Sequence, residues 1–183
     1  MKRSWKMWIL VVWLGAGVQL VNCDQAQADY VFAAARNLGP VVNSGVDQAE
    51  ASISADGLSL YLSQGTFGAT FSLYVATRPT QDADWASPVK LGSQIQSSFY
   101  TGGQHIAPDE LTLYYSPVLP GELGGNGDLW MVTRGTKDDP WGIPANLGEP
   151  VSSVFGEWAP SLSGDSLSIY FMSERPGGRG QMD

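Results

Sequence analysis

Three copies of one unit run along this chain. They begin at "RNLGPVVNS" (Arg36–Ser44), "VKLGSQIQS" (Val89–Ser97) and "ANLGEPVSS" (Ala145–Ser153). Leu38, Leu91 and Leu147 stand 53 and 56 residues apart. Asp56, Asp109 and Asp165 keep those separations, and so do Tyr61, Tyr114 and Tyr170. Arg78 pairs with Arg134 and Trp85 with Trp141 at the second spacing, while Phe32 precedes Leu38 as the two tryptophans precede Leu91 and Leu147. A repeated unit of this length cannot bury its apolar face alone. It must stack on its neighbours, so the period constrains the architecture more than any single residue does.

Within each unit the pattern is that of strands. "LSLYLS" (Leu58–Ser63), "LTLYYS" (Leu111–Ser116) and "LSIYFM" (Leu167–Met172) alternate with period two, which argues strand over helix. One face carries Leu58, Leu60 and Leu62, then Leu111, Leu113 and Tyr115, then Leu167, Ile169 and Phe171. Aromatic residues occur on the other face too, so both faces are expected to be covered, as in stacked sheets. A further strand follows in "SLYVATR" (Ser72–Arg78) and "DLWMVTR" (Asp128–Arg134). The corner before each tyrosine strand differs in composition. Asp56-Gly57 suits a type I′ turn, Pro108 suits the second position of a type I turn, and Gly164 suits a type II′ turn. The shared aspartates are expected to serve these turns by accepting bonds from nearby backbone.

About four strands per unit marks a propeller blade. "SISADGLSLYLS", "HIAPDELTLYYS" and "PSLSGDSLSIYFMSERPGGRG", with "GGNGDLWMVTR" between strands, resemble the WD40-like propeller repeat of the PD40 type, seen in TolB-like propellers. The resemblance covers roughly 32–183. The first copy departs from it, lacking the double glycine and holding Ser72 where Asp128 sits. It implies an all-β fold, a partial β-propeller of antiparallel four-stranded blades with units near 32–84, 85–140 and 141–183. Asp183 falls on the position of Asp128, so the register expects the third blade to be truncated and the chain to be a fragment. An open apolar strand edge left in this way is expected to recruit other chains.

The first 28 residues read differently. Lys2, Arg3 and Lys6 precede an apolar run, Met7–Val21, too short to span a membrane and followed by "AQA" (Ala26–Ala28). That is the pattern of a cleaved export signal, leaving a domain at 29–183. Processing as a lipoprotein at Cys23 is the alternative, and it alone would put the chain on a membrane. The expected location is therefore the periplasm or the exterior. Cys23 is the only cysteine, so the mature chain is expected to have neither a disulfide nor a thiol nucleophile. The net charge of −8 becomes more negative once the basic leader is removed. Such a surface repels phosphate backbones and makes nucleic acid an unsuitable partner.

Constellations for catalysis are sparse. The single histidine, His105, limits nucleophile–base pairs and zinc sites. No cofactor or metal site is expected. The acid pairs Asp82/Asp84 and Asp138/Asp139 lack the spacing of a specific calcium loop. His105 shares its repeat position with Ser52 and Ser161, on the strand before the aspartate corner, which in propellers lines the channel. It is thus a candidate ligand-facing residue, or a hydrogen-bonded structural histidine. Glu50 and Glu157 lie near the start of equivalent strands, though not at the same repeat position. Trp85 and Trp141 are expected to anchor neighbouring blades. The expected function is a non-catalytic binding or scaffold module of the cell envelope, recognising protein or glycan. The alternative is the propeller portion of a larger hydrolase, a glycosidase or peptidase, with its catalytic part elsewhere.

Overall fold

The computed structural model describes residues 34–66, 69–95, 100–118 and 127–177. Every described strand lies within Asn37–Asp183. The expected leader with Cys23, most of the loop "GELGGNGD" and the final "GRGQMD" lie outside the described residues.

Strands β1 (Asp47–Ile53), β2 (Ser59–Gly65), β3 (Phe71–Thr77) and β4 (Val89–Lys90) form one antiparallel sheet in that order. Strands β5 (Tyr100–Ile106), β6 (Thr112–Val118), β7 (Trp130–Thr133) and β8 (Ala145–Asn146) form a second with the same order. β9 (Glu157–Leu162) and β10 (Ile169–Ser173) pair as a third sheet. Register follows the repeat: Tyr61 faces Val75 across β2 and β3, and Tyr114 faces Met131 across β6 and β7. Trp85 and Trp141 lie in the connection before the last strand of their own sheets, β4 and β8.

The three corners are built alike. Gly57, Glu110 and Ser166 donate their backbone N–H to the carbonyls of Ser54, Ala107 and Ser163, at 2.9, 2.9 and 2.8 Å. All three donors are left-handed, with φ of 72°, 58° and 59°. The type I′ turn expected at Asp56-Gly57 and the type II′ turn expected at Gly164 therefore do not form, since neither Asp56 nor Gly164 has positive φ. Each turn is centred on the aspartate and the residue before it, and the left-handed residue closes the turn one position later. A non-glycine residue there costs about 1–2 kcal/mol, which the paired backbone bonds of the corner offset.

A second irregularity repeats in the first strand of every sheet. Glu50, Gly103 and Ala159 occupy one repeat position and are all left-handed, with φ of 49°, 59° and 51°. The ladder shifts register there, between Ala49 and Ser52 in β1 and between Gly102 and His105 in β5. β9 skips the same position against β10. These are β-bulges, which re-aim side chains and bend the strand.

Packing between sheets supplies the core. Tyr61, Leu73 and Val75 of the first sheet meet Ile106, Leu113, Tyr115, Val132 and Trp141 of the second, with Leu91 and Ile95 wedged at the junction. Leu60, Leu62 and Ala76, on the opposite face of the first sheet, pack under Val42 beside Tyr74 and Trp85. β2 is thus buried on both faces, and each large side chain removed from water contributes about 1.5–3 kcal/mol.

Candidate functional site

The bulges set up the contact between sheets. Glu50, turned by its left-handed backbone, reaches from β1 to β5. Its Oε2 accepts the Tyr100 hydroxyl at 2.5 Å and the Gly103 N–H at 2.6 Å. Room for this carboxylate exists because residue 102 is glycine: a Cβ there would lie 2.2 Å from Glu50 Oε2. Burial, reinforced by the bond to Glu50, raises the Tyr100 phenol far above its ordinary range. Tyr100 therefore remains a donor at every physiological pH. Glu50 itself is exposed, and its Oε1 has no hydrogen bond among the described residues.

His105 sits two residues beyond that bulge, half-buried, opposite Tyr114 on β6. Its imidazole makes no hydrogen bond among the described residues. Burial lowers its pKa below 6.5, so the folded protein holds it neutral. The unfolded chain takes up a proton near 6.5. Stability tied to this group is therefore complete above that pH and falls as pH drops through about 6.5 toward the lower folded value. Melting temperatures from pH 7.5 down to pH 5 should decline in this window, and the decline should flatten in His105→Gln.

Glu157 departs from the ligand-facing role expected of it. It is fully buried, and its carboxylate is engaged on both oxygens. Oε2 accepts the Ser153 N–H at 2.9 Å, while Oε1 accepts the Ser153 hydroxyl at 2.7 Å and faces Arg175 Nε at 3.1 Å. Arg175 also donates to the Val151 carbonyl. These bonds leave no open side from which a ligand could reach Glu157.

Each corner aspartate accepts a backbone bond two residues on: Asp56 from Leu58 at 2.9 Å, Asp109 from Leu111 at 2.8 Å, Asp165 from Leu167 at 3.1 Å. Asp56 does more. Lys137 of the second sheet bridges it at 2.9 Å to Glu110 at 2.8 Å. The Ser54 hydroxyl, the Leu58 N–H and Lys137 hold its carboxyl well below the usual carboxylate range. Asp56→Ala should accordingly lower the melting temperature more than Asp165→Ala, whose carboxylate serves only its own turn. Equal losses would show that the Lys137 bridge contributes nothing.

Above the corners, Arg78 stacks on Trp85 at 4.3 Å and Arg134 on Trp141 at 4.4 Å, each also bonded to a corner carbonyl. Trp141 meets Tyr61 of the first sheet edge-on at 6.5 Å. Trp85 packs instead beside Leu60, Leu62 and Val42. A buried polar seam completes the junction: Ser63 donates to Gln104 Oε1 at 2.9 Å. At the next junction the same positions hold Ser116 and Pro160, and the Ser116 hydroxyl has no partner among the described residues. Proline has no side-chain acceptor to offer it.

No family model matches the chain, and no curated protein matches it. Among solved structures it is similar to the crystal structure of TolB from Acinetobacter baumannii, at 18% identity and a TM-score of 0.49, over 73% of this chain and 28% of that one. It thus spans little more than a quarter of that protein's length. The fold is decided by the sheets themselves. Two share one four-strand order, and their first strands adjoin, β1 against β5 and β5 against β9.

The chain forms blades of a β-propeller.

In propeller terms β1, β5 and β9 are the inner strands, and the arginine–tryptophan stacks lie in the connections from β3 to β4 and from β7 to β8. The Glu50–Tyr100–Gly103 contact and His105 lie on inner strands of consecutive blades. Periodicity did not find the bulge that aims Glu50. Gly103 was its only compositional trace, because Glu50 and Ala159 are not residues that advertise positive φ. Among the described residues no three His, Cys, Asp or Glu side chains converge as a metal site. Asp139 is bonded locally, to Thr136.

Proposed function

We propose that this propeller is a non-catalytic recognition module exported to the cell envelope, with a polar peptide or glycan as its ligand. The observation that carries this reading is Glu50. A carboxylate on an inner strand is fixed through one oxygen by Tyr100 and Gly103, while its other oxygen has no hydrogen bond among the described residues. A positioned acceptor on a rigid scaffold suits hydrogen-bonded recognition. The neutral imidazole of His105 on the next inner strand adds a donor and an acceptor. The acidic surface favours neutral or basic ligands over anionic ones.

The test is binding by the purified chain to arrays of glycans and of neutral or basic peptides. Saturable binding is expected, weakened about tenfold by Glu50→Gln, the loss of roughly one charge-assisted bond, with no ligand turned over. Turnover abolished by Glu50→Gln would overturn the reading in favour of a hydrolase. Export is checked separately by intact mass: protein recovered from the envelope should begin at Asp29. A lipid-modified Cys23 would establish membrane anchoring instead.

A further inference from the structure

The carboxylate of Glu50 is half engaged, and the half left over has a defined chemistry. A carboxylate offers about four lone-pair positions, shared equally by its oxygens. Oε2 uses both of its own, one on the Tyr100 hydroxyl at 2.5 Å and one on the Gly103 N–H at 2.6 Å. Oε1 uses neither among the described residues. The cations of the fold are placed elsewhere. Lys137 joins Asp56 to Glu110, and Arg175 joins Glu157. Arg78 and Arg134 are held over tryptophan rings and bonded to corner carbonyls. Glu50 is thus an exposed carboxylate with no Lys or Arg within ion-pair distance among the described residues.

We propose that Glu50 receives a lysine ammonium of a polypeptide ligand, and that Tyr100 sets the preference for lysine over arginine. The inference rests on the reading of Glu50 as the ligand acceptor. A guanidinium is recognised best by two parallel bonds, one to each carboxylate oxygen. Oε2 has no position left for the second bond, so an arginine fork finds only half of its match. An ammonium is a compact point charge whose donors rotate freely. It needs a single oxygen, and Oε1 supplies it. The long flexible stem of lysine carries the ammonium to an inner strand while the ligand's backbone stays outside. An amine fixed on a sugar ring lacks that reach. Tyr100 is held in place for this role. Its ring packs against Phe71 with centroids 5.7 Å apart, and burial keeps its phenol protonated, hence a donor to Oε2.

Magnetic resonance titration of the purified chain tests this, with the Gly103 amide signal as reporter because that N–H already bonds Glu50. The probes are lysine, Nε-acetyl-lysine and arginine, each blocked at both ends, and glucosamine. Blocked lysine is expected to shift the signal saturably and less tightly as salt is added. Nε-acetyl-lysine should bind about tenfold more weakly, the loss of one charge-assisted bond, and arginine and glucosamine more weakly than lysine. Glu50→Gln should erase the difference between lysine and its acetylated form. Tyr100→Phe keeps the ring and frees a position on Oε2, so arginine should gain several-fold on lysine, whereas a merely loosened fold would weaken both alike. The same spectra show whether each variant is folded; should Tyr100→Phe unfold the chain, the lysine-to-arginine ratio of the unsubstituted chain carries the test. Equal binding of lysine and Nε-acetyl-lysine overturns the proposal, as does glucosamine binding as tightly as lysine, or a lysine-to-arginine ratio that Tyr100→Phe leaves unmoved. If no probe shifts the signal while the glycan and peptide arrays still show binding through Glu50, this inference fails and the recognition reading stands. If the arrays are silent too, both fail.

Discussion

Arg175→Met is expected to cost about 3–5 kcal/mol of unfolding free energy, the range for stranding one partner of a buried ion pair. Glu157 has no exposed surface, and Arg175 is the only cation within ion-pair distance of it among the described residues. Without the guanidinium, the carboxylate keeps the Ser153 N–H and two serine hydroxyls, which partly satisfy it but supply no positive charge. Arg175 also ties Val151 and lies 5.5 Å from the Phe171 ring centroid, so its loss loosens the start of the blade as well. Arg175 is one-third exposed in its side chain, which favours the lower end of the range. Urea unfolding measures the change. The double variant Glu157→Leu/Arg175→Met should recover part of the loss, because removing both charges removes the desolvation penalty. A loss below about 1 kcal/mol for Arg175→Met would mean that solvent reaches the pair.

Trp141→Ala is expected to have an effect of the same order, about 3–5 kcal/mol for an emptied aromatic site. Trp85→Ala at the matching repeat position should cost distinctly less. Both rings lie under an arginine at nearly the same distance, so the stack contributes equally to the two. The difference is the neighbour. Trp141 is buried, and its ring meets Tyr61 of the preceding blade. Trp85 is half-exposed and packs only beside its own blade and Val42. Thermal and denaturant unfolding of the two variants gives the comparison directly. Equal losses would place the anchoring in the arginine stack rather than between blades.

The residues that could be read in advance are those whose role is local or periodic. Alternation in "LSLYLS" and "LTLYYS" specifies strands because side chains of a pleated strand point to opposite faces. The repeat spacing specifies equivalent strands in successive blades, and both are present at the expected places. Asp56, Asp109 and Asp165 each accept a backbone bond two residues away, an interaction that short-range sequence contains in full.

Dipeptide preference favours a type I′ turn at Asp56-Gly57 and a type II′ turn at Gly164, and the ladder overrides both. The backbone bonds from Ser54 to Ser59 and from Ser163 to Ser168 place the left-handed residue one position later, even where that residue is Glu110 or Ser166.

Two matters belonged to the tertiary structure alone. Glu50 and Glu157 are the same residue type on equivalent inner strands, yet one is exposed and the other fully buried. What separates them is the bulge under Glu50 and the cage around Glu157, in which Ser173 and Arg175 come from the far side of the hairpin to join Ser153. Tyr61 and Tyr170 are likewise one repeat position with opposite fates. Repeat spacing and alternation located the tyrosine strands, the strands that follow them and the corner aspartates, since those depend on neighbours a few residues away. Which faces are covered and which carboxylate stays accessible follow from the blade that packs alongside, and burial of that kind has no local signal.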